Sequence, residues 1–217
     1  RMIKAADVDY SKKKPFFNFI MTTSNHKPYT YPEKKIVIAS GTGRNGAVQY
    51  SDYAIKHLFE KAKDKPWFKN TIFILVADHC ASSAGKDEID VKNYHIPAFI
   101  VGPSIPNQKV NKLCSQIDLF PTLFGVLNWE YTSNFYGKNV LDPTFNERTF
   151  MGTYLKLAQM NKSHQVMILS NQKKEQFYQW NKLDNSLKAF PMNLNYRNQT
   201  ISFYQTADYL FTNGLLK

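Results

Sequence analysis

An aspartate and a histidine stand side by side where a run of apolar residues ends. The six residues from Ile72 to Ala77 carry no polar side chain, which is typical of a strand buried on both faces of a parallel sheet, and Asp78 and His79 follow directly. In α/β proteins the carboxyl ends of such strands border the crevice in which ligands bind. A carboxylate oxygen and an imidazole nitrogen together suit a divalent metal ion. The alternative is that Asp78 caps the next segment and His79 makes an ordinary hydrogen bond, because two protein ligands rarely suffice for a catalytic metal.

Two further histidines and a lysine are candidates for contacts with a substrate. His26 stands just beyond Phe16–Thr23, a segment whose aromatic and β-favouring residues predict a strand, and loops that leave the same edge of a parallel sheet converge. His95 precedes an apolar segment, so it reaches the site only if the preceding loop folds back. Lys86 lies in a loop of small residues and could meet an anion. For His26 and Lys86 the alternative is an exposed loop residue without a functional role.

The remaining pattern predicts an α/β domain followed by a smaller antiparallel region. Apolar residues at three- and four-residue spacing predict helices over residues 47–63 and 115–127, and a short buried strand is predicted over 94–103. From about residue 149 the segments are short, aromatic and separated by polar turns, which indicates an antiparallel meander, and residues 202–213 predict a closing helix. We therefore predict two regions, residues 1–148 and residues 149–217, the second packed on the same domain.

The composition and the net charge of the chain indicate which classes of binding partner fit it. The chain has 28 Lys and Arg against 17 Asp and Glu, a net charge of +11, but the cations are scattered singly and no nucleic-acid-binding module is recognisable. An anionic substrate or an anionic membrane surface fits this charge, as does a generally lysine-rich composition. No apolar run approaches the length of a membrane span. Cys80 and Cys114 are too few for a disulfide framework, and their pairing is left open.

Five motifs in order resemble the sulfatase superfamily. In the order of the chain, the motifs are the segment ending in Thr22-Thr-Ser-Asn-His26; the helix after Gly41-Thr-Gly-Arg-Asn-Gly46; the sequence Val76-Ala-Asp-His79; His95-Ile-Pro97 before a segment ending in Gly102 and Pro103; and Ser115-Gln-Ile-Asp-Leu-Phe-Pro-Thr122. More closely, the chain is similar to the carboxyl-terminal half of the catalytic domain of lipoteichoic acid synthase-type phosphoglycerol transferases. The resemblance implies the alkaline-phosphatase fold, a three-layer α/β sandwich with a mainly parallel central sheet.

The resemblance also implies roles for individual residues. Asp78 and His79 match a pair that completes the site of one divalent metal ion, which is manganese, magnesium or zinc in different members. His26 matches a histidine that contacts the substrate phosphate or headgroup, and His95 lies near the position of a second substrate histidine. The family's nucleophile and an upstream acidic metal ligand have no match here, so we expect both upstream of Arg1, in the other half of the same catalytic domain. Cys80 does not replace the nucleophile, because it follows the metal ligands and lacks the Cys-x-Pro-x-Arg pattern of sulfatases.

The implied function is a metal-dependent sulfatase-like hydrolase or transferase acting on phosphoglycerol or related phosphodiester headgroups. By resemblance, the intact protein is anchored in the cytoplasmic membrane and acts on its extracytoplasmic, periplasmic face, whereas this chain alone is expected to be inactive. Two alternatives stay open: an arylsulfatase-like sulfate ester hydrolase, and a non-catalytic extracytoplasmic domain that binds anionic glycolipid. No nucleic-acid partner is expected.

Overall fold

The computed structural model describes residues 1–81, 89–103, 105–172 and 174–216. Four α-helices and seven β-strands follow one another in these ranges, together with three short 3-10 helices at Phe68–Asn70, Val91–Tyr94 and Gln116–Asp118. The elements are α1 (Met2–Ser11), α2 (Arg44–Ala62), β1 (Phe73–Val76), β2 (Ala98–Val101), α3 (Leu119–Val126), β3 (Arg148–Gly152), β4 (Lys156–Asn161), β5 (Gln165–Ser170), β6 (Glu175–Asn181), β7 (Ser186–Ala189) and α4 (Leu194–Thr212).

The first of two compact units comprises Arg1–Phe73 with Val101–Ser104 and is built on α1 and α2. Asp7 in α1 accepts hydrogen bonds from Lys65 Nζ at 2.7 Å and from the buried Trp67 at 2.8 Å, two residues that follow α2. These hydrogen bonds lower the pKa of the Asp7 carboxyl group, and the bond from Lys65 has the largest effect. The pairing ties the first helix of the chain to the end of the second.

The predicted strand over Phe16–Thr23 is wrong. None of these residues belongs to a strand, and Phe19 is 75% exposed. A strand exists only where its backbone pairs with a neighbour, and within the described residues this segment has no ladder partner. The aromatic and β-branched residues of this segment favour an extended backbone locally. This preference does not produce a strand unless a neighbouring strand is present to pair with it.

The apolar run before Asp78 does form a strand, but a shorter and less buried one than expected. β1 covers four residues, of which only Phe73 is buried while Val76 is exposed. It pairs with β2, the strand predicted within residues 94–103. The apolar composition predicts the strand correctly, whereas burial on both faces depends on covering layers that a local pattern cannot specify.

The second unit, Ile74–Ile100 with Ile105–Lys217, contains the antiparallel meander that the sequence predicts. β3 to β7 lie in the order of the chain, and each pairs antiparallel with the next. The strands β4 and β7 were not separately predicted. The boundary between residues 148 and 149 stays a prediction.

Alternating residues of the meander pack in opposite directions. One set, with Ile89 and Val91 from the segment before β2, forms the main apolar core of the unit, and its strand members are Met151, Ala158, Met160, Val166 and Ile168. The neighbouring positions Met167 and Phe177 pack against Tyr196 of α4. Both faces of this sheet are therefore covered by other parts of the same unit.

The terminal helix is longer than predicted. α4 begins at Leu194, where the Asn193 side chain accepts a hydrogen bond from the Tyr196 N–H at 3.0 Å, an ordinary N-cap. The residues that it buries are Tyr196 and Thr200, whereas Phe211, in its last turn, is 75% exposed. The apolar spacing over residues 202–213 predicts only the C-terminal part of this helix. The first turns after Asn193 consist mainly of polar residues, which give no apolar periodicity from which a helix could be predicted.

The predicted helix over residues 115–127 is confirmed as a 3-10 turn followed by α3. Ser115 and Asp118 form a capping box in which the Asp118 carboxylate accepts from the Ser115 N–H at 2.8 Å. Asp118 is also bound by both terminal nitrogens of Arg148 at 2.7 Å, and the two side chains are buried. This bidentate pair joins the start of the helix to β3.

No helix within the described residues has both the length and the apolar character needed to cross a membrane.

Candidate metal centre

Asp78 and His79 lie in the second unit, directly beyond the end of β1. Both side chains are exposed, 71% for Asp78 and 58% for His79, and their nearest ligand atoms, Asp78 Oδ2 and His79 Nε2, are 3.5 Å apart. Two atoms that bind one tetrahedral ion at about 2.0–2.2 Å are separated by roughly 3.4 Å. The pair therefore has the spacing that one small divalent ion needs, before any other ligand is considered.

The other ring nitrogen of His79 supports the same arrangement. Nδ1 lies 2.9 Å from the Cys80 carbonyl oxygen, which can only accept a hydrogen bond. Nδ1 is therefore the protonated nitrogen, and in the neutral ring Nε2 carries the lone pair that faces Asp78. A metal-binding histidine commonly donates its second N–H to a carbonyl or carboxylate in this way. The donor set of Asp78 and His79 thus fits a divalent cation.

The loop that carries these residues is tied to the segment leading into β2. Ala77 donates its N–H to the Pro97 carbonyl at 3.2 Å, and the Cys80 thiol donates to the His95 carbonyl at 3.2 Å. The Tyr94 hydroxyl donates to the Gly152 carbonyl at 2.8 Å, and burial raises the pKa of this phenol, so it remains a donor at neutral pH. Cys80 and Cys114 are both thiols and form no disulfide with each other.

The other candidate residues are found in different settings. His26 belongs to the first unit, where its N–H donates to Thr23 and its carbonyl accepts from Tyr29, so it sits in a tight turn with an exposed side chain. His95 directly follows the 3-10 helix Val91–Tyr94 and is also exposed, and its backbone carbonyl accepts the hydrogen bond from Cys80. Lys86 lies outside the described residues. The substrate roles of all three stay predictions.

Gln116 is a residue at this site that the sequence did not single out. Its side-chain amide donates to the Ala77 carbonyl at 2.8 Å and lies 3.4 Å from the Asp78 carbonyl. The motif that contains Gln116 was recognised only as part of a family resemblance. A contact across almost forty residues leaves no local signal, because neither periodicity nor spacing reports which distant backbone group a glutamine reaches.

A solved structure defines the class of fold. A crystal structure of a protein in the alkaline phosphatase superfamily from Vibrio parahaemolyticus superposes with a TM-score of 0.88 at 29% sequence identity, covering 99% of this chain and 54% of that protein's chain. The predicted fold class, α/β of the alkaline-phosphatase type as a partial domain, is confirmed. The model of the sulfatase family matches residues 2–129, more than half of the sequence, and the chain accordingly belongs to the sulfatase family.

Two curated relatives are each similar over slightly more than half of the chain. Lipoteichoic acid synthase-like YvgJ of Bacillus subtilis (strain 168) is 28% identical in an alignment of length 144 that covers 55% of this chain and 23% of that protein. Lipoteichoic acid synthase 2 of the same organism is 27% identical in an alignment of length 138 that covers 54% of this chain and 21% of that protein. The chain thus spans less than a quarter of the length of these curated relatives.

Proposed function

We propose that Asp78 and His79 bind one divalent metal ion in a sulfatase-family enzyme that hydrolyses or transfers phosphoglycerol or related phosphodiester headgroups. The observation that carries this proposal is the 3.5 Å separation of Asp78 Oδ2 and His79 Nε2, with Nδ1 of the same ring directed at a carbonyl. Membership of the sulfatase family and the similarity to two lipoteichoic acid synthase-type proteins support the choice of chemistry.

Each residue of the proposed site has a separate task. Asp78 would bind the ion through its carboxylate and His79 through Nε2, while the Cys80 carbonyl keeps the Nδ1 proton in place. Manganese, magnesium or zinc bound there would act as a Lewis acid toward the phosphate oxygens. His26 is proposed to contact the substrate phosphate, and His95 and Lys86 to contribute to headgroup binding. The nucleophile is proposed to lie upstream of Arg1.

The proposed location follows from the proposed substrate. An anionic lipid headgroup is presented at a membrane surface, and a net charge of +11 favours approach to such a surface. We place the complete protein on the extracytoplasmic face of the cytoplasmic membrane, anchored there. The proposal would be weakened if the complete protein fractionated with the cytoplasm.

The metal ligands are tested by substitution in the complete protein. We expect one divalent ion per wild-type chain, measured by elemental analysis after dialysis, and loss of the ion in Asp78→Ala, His79→Ala and the double variant. Release of headgroup from phosphatidylglycerol should fall to the detection limit in the same variants. Asp64→Ala and His57→Ala are the matched controls, since both residues are exposed and lie in the first unit. Wild-type metal content and turnover in the double variant would refute the proposal.

His26 is tested separately, because it is proposed to bind substrate and not metal. His26→Ala should keep the ion and lower turnover by about 100-fold, the usual loss when one group that stabilises transition-state charge is removed. Metal content and headgroup release are measured on the same preparations. Loss of the ion together with activity would make His26 a metal ligand, and unchanged turnover would remove it from the site.

A further inference from the structure

Gln116 contacts the backbone on both sides of Asp78. Its Nε2 is 2.8 Å from the Ala77 carbonyl oxygen and 3.4 Å from the Asp78 carbonyl oxygen. These two carbonyls belong to the peptide groups that precede and follow the Asp78 Cα. Because the orientations of two successive peptide planes define φ and ψ of the residue between them, the amide of Gln116 constrains the backbone from which the Asp78 side chain projects.

We propose that Gln116 is a positioning residue for the metal ligands Asp78 and His79, an inference that rests on the proposed metal-binding function. The chemistry of the amide suits this task. Its NH2 group supplies two donors for two carbonyl acceptors and carries no charge. A glutamate in its place would present only acceptors to these carbonyls. The same chemistry identifies which atom of the Gln116 amide is the nitrogen. Only the NH2 group can donate to two carbonyl oxygens, so the nitrogen and not the oxygen must face them.

Gln116 can position the loop because its own backbone is firmly held. It follows Ser115, whose hydroxyl accepts from the Phe150 N–H at 2.8 Å. Two residues further on, Asp118 is bound by Arg148 through two hydrogen bonds of 2.7 Å and accepts from the Lys138 N–H at 2.8 Å. The buried pair connects the 3-10 helix Gln116–Asp118 to β3. Gln116 therefore reaches the loop from an element fixed to the main sheet of the second unit.

The loop needs such a support because the ligands themselves are exposed. Asp78 and His79 keep more than half of their side-chain surface in contact with solvent. An ion that binds to unrestrained ligands must also order them, which lowers affinity. The Ala77 N–H already donates to the Pro97 carbonyl, so Gln116 supplies the complementary bond on the carbonyl side of the same residue. Partners that orient metal ligands typically contribute about 10- to 100-fold to metal affinity.

The test compares Gln116→Met and Gln116→Glu with wild type in the complete protein. Both substitutions preserve length and remove the donors. We expect the Mn²⁺ dissociation constant, measured by titration calorimetry, to rise about 10-fold or more, while the melting temperature of the metal-free protein stays unchanged. Backbone amides of residues 78–80 should exchange hydrogen faster in the metal-free variants. Gln108→Met, the same change at another exposed glutamine of the second unit, is the matched control and should leave every reading at the wild-type value.

The outcomes separate this inference from the proposed function. Wild-type Mn²⁺ affinity and wild-type exchange in Gln116→Met would overturn the positioning role while leaving Asp78 and His79 as ligands. A lower affinity accompanied by a lower melting temperature and faster exchange throughout the second unit would also overturn it, since Gln116 would then be a general structural residue. If the wild-type protein bound no metal, the proposed function would fail, and exchange at residues 78–80 would still decide whether Gln116 orders the loop.

Discussion

Polar side chains around the candidate metal site bond mainly to backbone carbonyls. His79 Nδ1 lies against the Cys80 carbonyl, the Cys80 thiol against that of His95, and the Gln116 amide against that of Ala77. A carbonyl oxygen does not titrate and accepts hydrogen bonds at any pH. The orientation of these side chains therefore depends on the path of the backbone, and a substitution that moves the backbone changes the site without touching a ligand.

Glu147 is a single residue whose contacts should make the stability of the fold depend on pH. Its carboxylate accepts from the Leu113 N–H at 2.8 Å and pairs with Lys162 at 3.0 Å. Both hydrogen bonds lower the pKa of Glu147 below its ordinary value, and the bond from Leu113 has the larger effect. A carboxyl group with a lowered folded-state pKa stabilises the fold fully above its unfolded pKa of about 4.3. That stabilisation is lost as the pH falls through the folded-state pKa.

Glu147→Gln should therefore reduce stability at neutral pH and bring it closer to the wild type in acid. The urea midpoint measured from pH 7 to pH 3 should show the largest gap between the two proteins at pH 7, narrowing below about pH 4. Glu130→Gln, a change at an exposed glutamate, serves as the control. A gap that stays constant over the whole pH range would mean that the charge of Glu147 does not stabilise the fold.

At the scale of elements, α4 is joined to the meander by a buried hydrogen bond. The Thr200 hydroxyl donates to Gln159 Oε1 on β4 at 2.8 Å, and both residues are buried. The Tyr204 hydroxyl on the same helix donates to the Ala158 carbonyl at 2.7 Å. Burial raises the pKa of the Tyr204 phenol, so it remains a donor at neutral pH. The helix is thus fixed to the sheet by polar contacts with β4 and by apolar contacts with β5 and β6.

Thr200→Val should lower the free energy of unfolding by about 1–3 kcal/mol, because valine has nearly the same shape but leaves Gln159 Oε1 buried without this donor. Chemical denaturation measures the loss. The double variant Thr200→Val with Gln159→Met should recover part of it, since removing both polar partners is less costly than removing one. Equal stability of Thr200→Val and wild type would show that the hydrogen bond contributes nothing, and strictly additive losses in the double variant would show that the two residues are not coupled.

The elements also show where local patterns are sufficient and where they are not. The meander was predictable because each strand pairs with its neighbour in sequence, so the turns and the alternation contain most of the information. Phe16–Thr23 was wrongly predicted as a strand because a strand needs a partner that this stretch does not encode. The start of α4 was missed for a different reason: its first turns are polar and bury only Tyr196 and Thr200.

For the whole molecule, the fold class was predictable from the sequence, and so was the adjacent pair Asp78 and His79 that is proposed to bind metal. The contact between Gln116 and their loop was not predictable. Asp78 and His79 are adjacent, follow an apolar run and stand among ordered family motifs, so their types and positions are visible in the chain itself. Gln116 acts on them through a contact that exists only after the chain has folded. The same holds for the buried pair of Asp118 and Arg148, thirty residues apart, which fixes the helix that carries Gln116.

The order of strands in the meander has a consequence for how the protein folds. β3 to β7 are joined only to sequence neighbours, so every pairing closes a short loop. Short loops cost little chain entropy, and topologies rich in such local contacts fold faster than those that must join distant segments. By contrast, β1 and β2 pair only after the chain between them has been brought together. We therefore expect the meander to form early, and Asp78 and His79 to reach their final positions only in a later step.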